Sequence, residues 1–246
     1  MAQWVERYRP ARRRRPGRRL AFFVLRVAVI ALVVAALVRW LLVGTFAVHS
    51  ESMQPGFAPG DRVLTEQLSY GARLPFGVGR TPAFGSLKRG DVVVVRVPHY
   101  PHGTLRAALD TALRAITFGA ASLMRFADGE PLHPYVLKRV LGLPGDTVRL
   151  DGSLARVKPR GAPGYLSEYE LLTEPTVTPL ELPEGWAKGL PFNVEAEPLT
   201  LGHDEYYLLS DDRSFAADSR TWGPVSLDLV VGRVVARYWP LRRAGI

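Results

Sequence analysis

Apolar positions in this chain fall into two regimes. From Leu20 to Val43 they run almost unbroken, LAFFVLRVAVIALVVAALVRWLLV, matching the roughly 20 residues a helix needs to cross bilayer hydrocarbon. Beyond it the apolar residues gather in short β-branched runs bounded by Gly, Pro and Asp, the signature of strands. Strands are predicted at Arg62 to Thr65, Asp91 to Val97, Tyr135 to Leu141, Thr147 to Leu150, Glu205 to Leu209 and Val230 to Tyr238. Pro59-Gly60-Asp61, Arg89-Gly90-Asp91 and Leu143-Pro144-Gly145-Asp146 supply turn chemistry before three of them. A mainly β, antiparallel domain follows. Thr104 to Phe126 breaks the pattern, with Leu105, Leu109, Ala112, Leu113, Ile116, Ala120 and Leu123 at helical spacing. That inserted amphipathic helix either packs on the sheet or lies at a membrane surface. Arg156 to Pro198, rich in Pro, Gly and Glu, reads as an irregular excursion or small subdomain.

Charge sharpens the division. The net charge is +9, and residues 1–43 hold ten Arg and one Glu against 22 basic and 22 acidic residues beyond. The excess therefore belongs to the anchor region, and the remainder is neutral, which argues against a nucleic-acid partner. Arg26 and Arg39 lie near the two ends of the apolar run, where long side chains snorkel to the headgroups, and Trp40 suits the interfacial belt. Positive flanks stay cytoplasmic, so residues 1–19 form a basic cytoplasmic tail, 20–43 a transmembrane helix and 44–246 an extracytoplasmic domain. Within that domain lie the helical insertion, 104–127, and a variable subdomain, 151–204. A cleavable leader would have a shorter apolar core and a small-residue cleavage site, which Gly44-Thr45-Phe46 does not provide. Cysteine is absent, which excludes disulfides, thiolate catalysis and Cys-based zinc sites.

Two segments carry candidate chemistry. Ser52 follows the apolar run by about nine residues. Lys138 lies in a predicted strand whose alternation puts it on one face with Val136 and Val140, with Tyr135, Leu137 and Arg139 on the other. A serine hydroxyl is a weak nucleophile and needs a neutral base, and lysine serves as one only where desolvation holds it deprotonated. Lowering a lysine to near 7 takes about 4 to 5 kcal/mol, which burial can supply. Taken alone, Lys138 reads first as a solvated residue or one paired with a carboxylate. The five histidines offer no Gly-x-Ser-x-Gly elbow, and His99-Tyr-Pro-His102, lacking a matching carboxylate, does not read as a metal site.

Read in order, Ser50-Glu51-Ser52-Met53-Gln54-Pro55, Gly60-Asp61-Arg62-Val63-Leu64, Lys88-Arg89-Gly90-Asp91-Val92-Val93-Val94, Lys138-Arg139-Val140-Leu141-Gly142-Leu143-Pro144-Gly145-Asp146 and Ser210-Asp211-Asp212-Arg213 through Asp218-Ser219-Arg220-Thr221-Trp222-Gly223 closely resemble the type I signal peptidases. The resemblance implies a membrane-anchored peptidase domain of antiparallel β-sheet that removes signal peptides from exported preproteins, with the bilayer and those signal peptides as partners and no metal or cofactor. By matching positions, it implies Ser52 as nucleophile, Lys138 as general base, and the Ser52 N–H with the Ser50 hydroxyl as oxyanion donors. Phe46, Val48 and Leu137 stand where that family walls shallow pockets for small side chains. Arg139, Asp211, Asp218, Ser219 and Arg220 stand as loop supports. The chain departs from the pattern where the family's lysine-orienting serine gives way to Ala216; Ser219, Ser214 or a water are the substitutes considered. Ser210 and Asp212 stand where Gly and Asn are commoner. A membrane-tethered β-rich binding or scaffold module, and a Ser-Lys peptidase for another membrane-tethered substrate, are the alternative functions.

Overall fold

The structure, a computed structural model, describes residues 20–31, 34, 43–71, 81–82, 85–98, 106, 109–110, 113, 123, 133–152, 154–172, 178, 197–214 and 217–245. Two compact units divide the chain, Met1–Trp40 and Leu41–Ile246. In the first, residues 20–31 and 34 are helical and exposed. Among the described residues no helix is long and apolar enough to cross a membrane; residues 32–33 and 35–42 of the expected span lie outside them. The end of that span needs correction: Val43 opens a strand.

The second unit is built on two antiparallel sheets. The larger has seven strands in the order β1-β2-β11-β3-β4-β9-β10. They are β1 (Val43–Ala47), β2 (Arg62–Glu66), β3 (Val92–Arg96), β4 (Tyr135–Gly142), β9 (Glu205–Leu209), β10 (Val225–Ser226) and β11 (Val230–Trp239). The smaller, in the order β7-β6-β5-β8, comprises β5 (Thr147–Asp151), β6 (Leu154–Lys158), β7 (Leu166–Ser167) and β8 (Leu199–Thr200). All six expected strands are present. The interval 156–198, read as an irregular excursion or small subdomain, holds most of β6 and all of β7, and β8 follows it directly; β7 and β8 are only two residues long, too short to show alternation. Of the expected 104–126 helix, most lies outside the described residues; residues 106, 109, 110 and 113 are helical, but Leu123 is a bend whose N–H donates to Asp110 and whose carbonyl accepts from Arg106, so a single helix does not run from 104 to 126.

Alternation along β3 and β4 feeds separate clusters. Val93, Val95 and Val140 enter a core with Leu208, Tyr206 and Val230. Val94 and Leu137 face another with Val48, Met53, Phe57 and Val63. Leu141, Tyr207 and Leu209 extend into a third that the small sheet completes with Val148, Ala155 and Val157. Apolar burial at about 25 cal/mol per Å² favours this arrangement strongly. The pairing of β3 with β4 sets Val93 opposite Lys138 and Val94 opposite Leu137, so the lysine is fixed in the middle of the sheet. Two glycines are required by geometry. Gly232 lets β11 approach β2, since a Cβ there would lie 2.5 Å from the Glu66 carbonyl oxygen. Gly145 adopts φ +85° in the turn after β4, a conformation disfavoured for residues bearing a Cβ.

Candidate active site

Ser52 lies in a one-turn 3-10 helix, Glu51–Met53, capped by Ser50, whose Oγ accepts from the Ser52 N–H at 3.1 Å. Its place is set by the fold around it. Met53 fills the cluster beneath, the Phe57 N–H donates to the Met53 carbonyl, and the Val48 N–H donates to the Asp61 carbonyl. Asp61 in turn accepts from Ala58 N–H and pairs with Arg237 and Arg243. The serine side chain is therefore held on a braced loop, and Ser52 itself is 3% exposed.

Lys138 approaches from β4. Its Nζ lies 3.1 Å from Ser52 Oγ and 2.9 Å from Ser210 Oγ, with the Trp222 ring centroid 6.0 Å away. The residue is 1% exposed and, among the described residues, forms no salt bridge. Burial pushes the ammonium down from its ordinary 10.5 to about 8; Asp218 pulls it back up, Arg220 lowers it further and Asp211 raises it. Desolvation dominates because an isolated cation loses its hydration in the sheet without a carboxylate in contact to replace it. At about 8, roughly a tenth of the lysine is neutral at pH 7. A neutral amine 3.1 Å from a serine hydroxyl can accept its proton.

The loop after β9 encloses the pair. Asp211 receives the Arg139 fork at 2.7 and 2.6 Å, and Arg139 also donates to the Gly90 carbonyl. The Asp212 N–H donates to the Ser52 carbonyl at 3.0 Å. Asp218 caps the short helix Ser219–Trp222, accepts from the Ser210 N–H at 3.0 Å and takes the Arg220 fork at 2.9 and 2.8 Å; that fork, with the backbone donors, holds its carboxyl below the usual range despite burial. Ser219 Oγ accepts from the Leu208 N–H, and Ser214 Oγ donates to Asp212. Neither is bonded to Lys138, so both sequence candidates for orienting it are corrected. Ala216 lies outside the described residues. Arg213 donates through Nε to the Ser210 carbonyl at 2.8 Å and forks onto Glu168, whose Oε1 also accepts from the Ala155 N–H.

Beside the dyad opens a cleft of about 490 Å³ walled by Val48, Met53, Tyr135, Leu137, Ala217 and Trp222, with Ser50 and Ser52 at its edge. Val48 and Leu137 thus stand on the wall. Phe46 does not; its ring meets Tyr135 edge-on at 5.4 Å. His49 and His133, stacked at 3.8 Å, also line the cleft. Sequence reasoning missed Tyr135, Trp222, His133 and Ser210. The first three are ordinary core or loop residues until the sheet closes. Ser210 carried a signal, a hydroxyl at a position usually given to glycine.

The family model described as "Signal peptidase, peptidase S26" matches residues 21–239. A probable signal peptidase I-2 of Synechocystis sp. is 26% identical over 218 residues, covering 89% of this chain and 73% of the relative. Signal peptidase I of Pseudomonas aeruginosa is 30% identical over 203 residues, covering 78% of this chain and 59% of the relative. Among solved structures, a signal peptidase I from Enterococcus faecalis V583 has a TM-score of 0.33 and 17% identity, covering 61% of this chain and 98% of that one. With a match spanning nearly its full length, the chain belongs to the peptidase S26 family of signal peptidases.

Proposed function

We propose that this protein is a serine endopeptidase that removes N-terminal signal peptides from exported preproteins, with Ser52 as nucleophile and Lys138 as general base. The observation that carries the reading is the 3.1 Å approach of a buried lysine, held well below its ordinary protonation range, to a buried serine in a protein of this family. Neutral Lys138 takes the Ser52 proton as Oγ attacks the scissile carbonyl. The resulting ammonium gives that proton to the departing amine, and the neutral amine then activates water against the ester.

The tetrahedral oxyanion needs donors. The Ser52 N–H is one, but it is occupied by Ser50 Oγ in the resting arrangement. Substrate binding would turn the Ser50 side chain from acceptor to donor, freeing the N–H and adding a hydroxyl; one such donor is worth about 3 to 4 kcal/mol. Val48 and Leu137, buried on the cleft wall, suit small apolar side chains before the cut and reject large ones by overlap. The exposed helical residues 20–31, within the apolar run to Val43, support a single membrane anchor, and the arginines of residues 1–19 argue for a cytoplasmic N-terminus with the peptidase unit on the outer face.

Cleavage of a preprotein bearing a small-x-small motif, by the full chain in detergent or vesicles, tests the reading. The wild type should cut after that motif. Full activity in Ser52→Ala or Lys138→Ala would rule out the dyad. The alternative of an inactive β-rich module rested on Ala216, and the hydroxyl of Ser210 beside Lys138 leaves it without a supporting observation.

A further inference from the structure

A neutral lysine is a useful base only if its lone pair faces the serine. The side chain is a flexible four-carbon stem with many rotamers, and nothing in strand geometry aims its tip. An amine that points one N–H at a fixed acceptor has its remaining orientations restricted, and the lone pair can be held on the nucleophile. That requires a second hydroxyl or carbonyl oxygen, besides Ser52 Oγ, about 3 Å from Nζ. Ser210 is the residue with that geometry, at 2.9 Å and 0% exposed.

Its placement is enforced from three directions. The backbone N–H of Ser210 donates to Asp218, itself gripped by Arg220. Its carbonyl accepts from Arg213 Nε, and Arg213 is pinned by the buried Glu168 carboxylate. Two residues on, the Asp212 N–H donates to the carbonyl of Ser52. One loop thus fixes the nucleophile's backbone and the hydroxyl that faces the base. The neighbouring serines are committed elsewhere, Ser219 to the Leu208 N–H and Ser214 to Asp212.

We infer that the lysine-positioning hydroxyl has moved within this loop, from the position now held by Ala216 to Ser210. The exchange is complementary: a hydroxyl is lost where the resemblance expects one and gained where a glycine is commoner. Ser210 is a positioning residue. It touches neither substrate nor scissile bond, but holds Lys138 Nζ toward Ser52 Oγ while the amine is neutral, and accepts from the ammonium once the Ser52 proton has transferred. The inference rests on the dyad proposed above.

The test is preprotein cleavage by Ser210→Ala, Ser210→Gly and the double variant Ser210→Gly/Ala216→Ser of the full chain, with Ser52→Ala and Lys138→Ala alongside. Misdirection of a general base is expected to lower kcat about a hundredfold with KM within about twofold, and to displace the pH–rate midpoint. Ser210→Gly carries the smaller side chain and so keeps the test usable if Ser210→Ala folds poorly. Restoration of at least about tenfold in kcat by the added Ala216→Ser substitution would mark the hydroxyl, rather than packing, as the lost element. Wild-type kcat and an unmoved pH profile in Ser210→Ala, with Ser52→Ala and Lys138→Ala inactive, would overturn the relocation while leaving the dyad intact. Activity surviving in Ser52→Ala or Lys138→Ala would remove the dyad and the inference with it.

Discussion

Two cations are buried side by side in this protein and treated in opposite ways. Lys138 is 1% exposed and Arg213 2%, and Ser210 joins them, its hydroxyl on the lysine and its carbonyl on the arginine. Arg213 has a carboxylate fork on Glu168, itself 1% exposed. Lys138 has hydroxyls. A guanidinium cannot shed its proton in a protein, so burying it demands a countercharge. An ammonium can, and without a carboxylate in contact its burial lowers it to about 8, so that a fraction is neutral near pH 7. The same desolvation thus makes a structural tie at one site and a base at the other, and the choice of residue type decides which.

The largest effect should come from removing the chemistry of the lysine site. Ser52→Ala or Lys138→Ala is expected to lower kcat/KM by roughly 10⁴-fold or more, with circular dichroism unchanged, and Lys138→Arg should fail equally because the guanidinium stays protonated. At the arginine site the loss should appear in stability. Glu168→Ala leaves an uncompensated buried guanidinium and an unpaired Ala155 N–H, at a cost of about 3 to 5 kcal/mol in urea unfolding; an unchanged unfolding midpoint would erase the contrast between the two cations.

Lys138→Met should do the reverse and stabilise. The unfolded lysine, at 10.5, holds its proton more tightly than the folded one at about 8. Below about 8 both states are protonated and the native state carries the full penalty, about 3 kcal/mol. As pH rises from about 8 toward 10.5 the folded amine is neutral and the penalty fades. Partnerless hydroxyls on Ser52 and Ser210 offset part of the gain, so Lys138→Met should be more stable by about 1 to 2 kcal/mol near pH 7, with the advantage shrinking above about pH 8. The smallest effect belongs to the cleft. Leu137→Ala should widen acceptance to a side chain larger by one or two methylenes, a change of about 1 to 3 kcal/mol in relative kcat/KM, read from a panel of preprotein cleavage sites.

Much of this contrast was legible in the sequence, and unevenly so. β3 and β4 announce themselves because Val92 to Val95 and Tyr135 to Leu141 are β-branched or apolar and bounded by turns. The burial of Lys138 follows from its sharing a strand face with Val140. Of the small sheet only β5 was legible, since β7 and β8 are two residues long and draw their stability from β5, β6 and the apolar cluster beneath them. Glu168 and Arg213 are 45 positions apart, and no local pattern announces a long-range buried pair. Ser210 was visible only as an unusual residue at a loop entry, because its meaning depends on which atom it faces. Phe46 failed as a cleft wall: its ring packs edge-on against Tyr135, and Tyr135 rather than Phe46 lines the cleft.

The account turns on Lys138 being neutral when it meets Ser52, and the most direct measurement is the single-turnover rate at which an electrophilic peptide ester acylates Ser52 as pH is varied. Only the unprotonated lysine can take the serine proton, so the rate should rise about tenfold per pH unit on the acid side and level off with a midpoint near 8. A rate independent of pH between about 6 and 9, or a midpoint near the ordinary lysine value of 10.5, would contradict it.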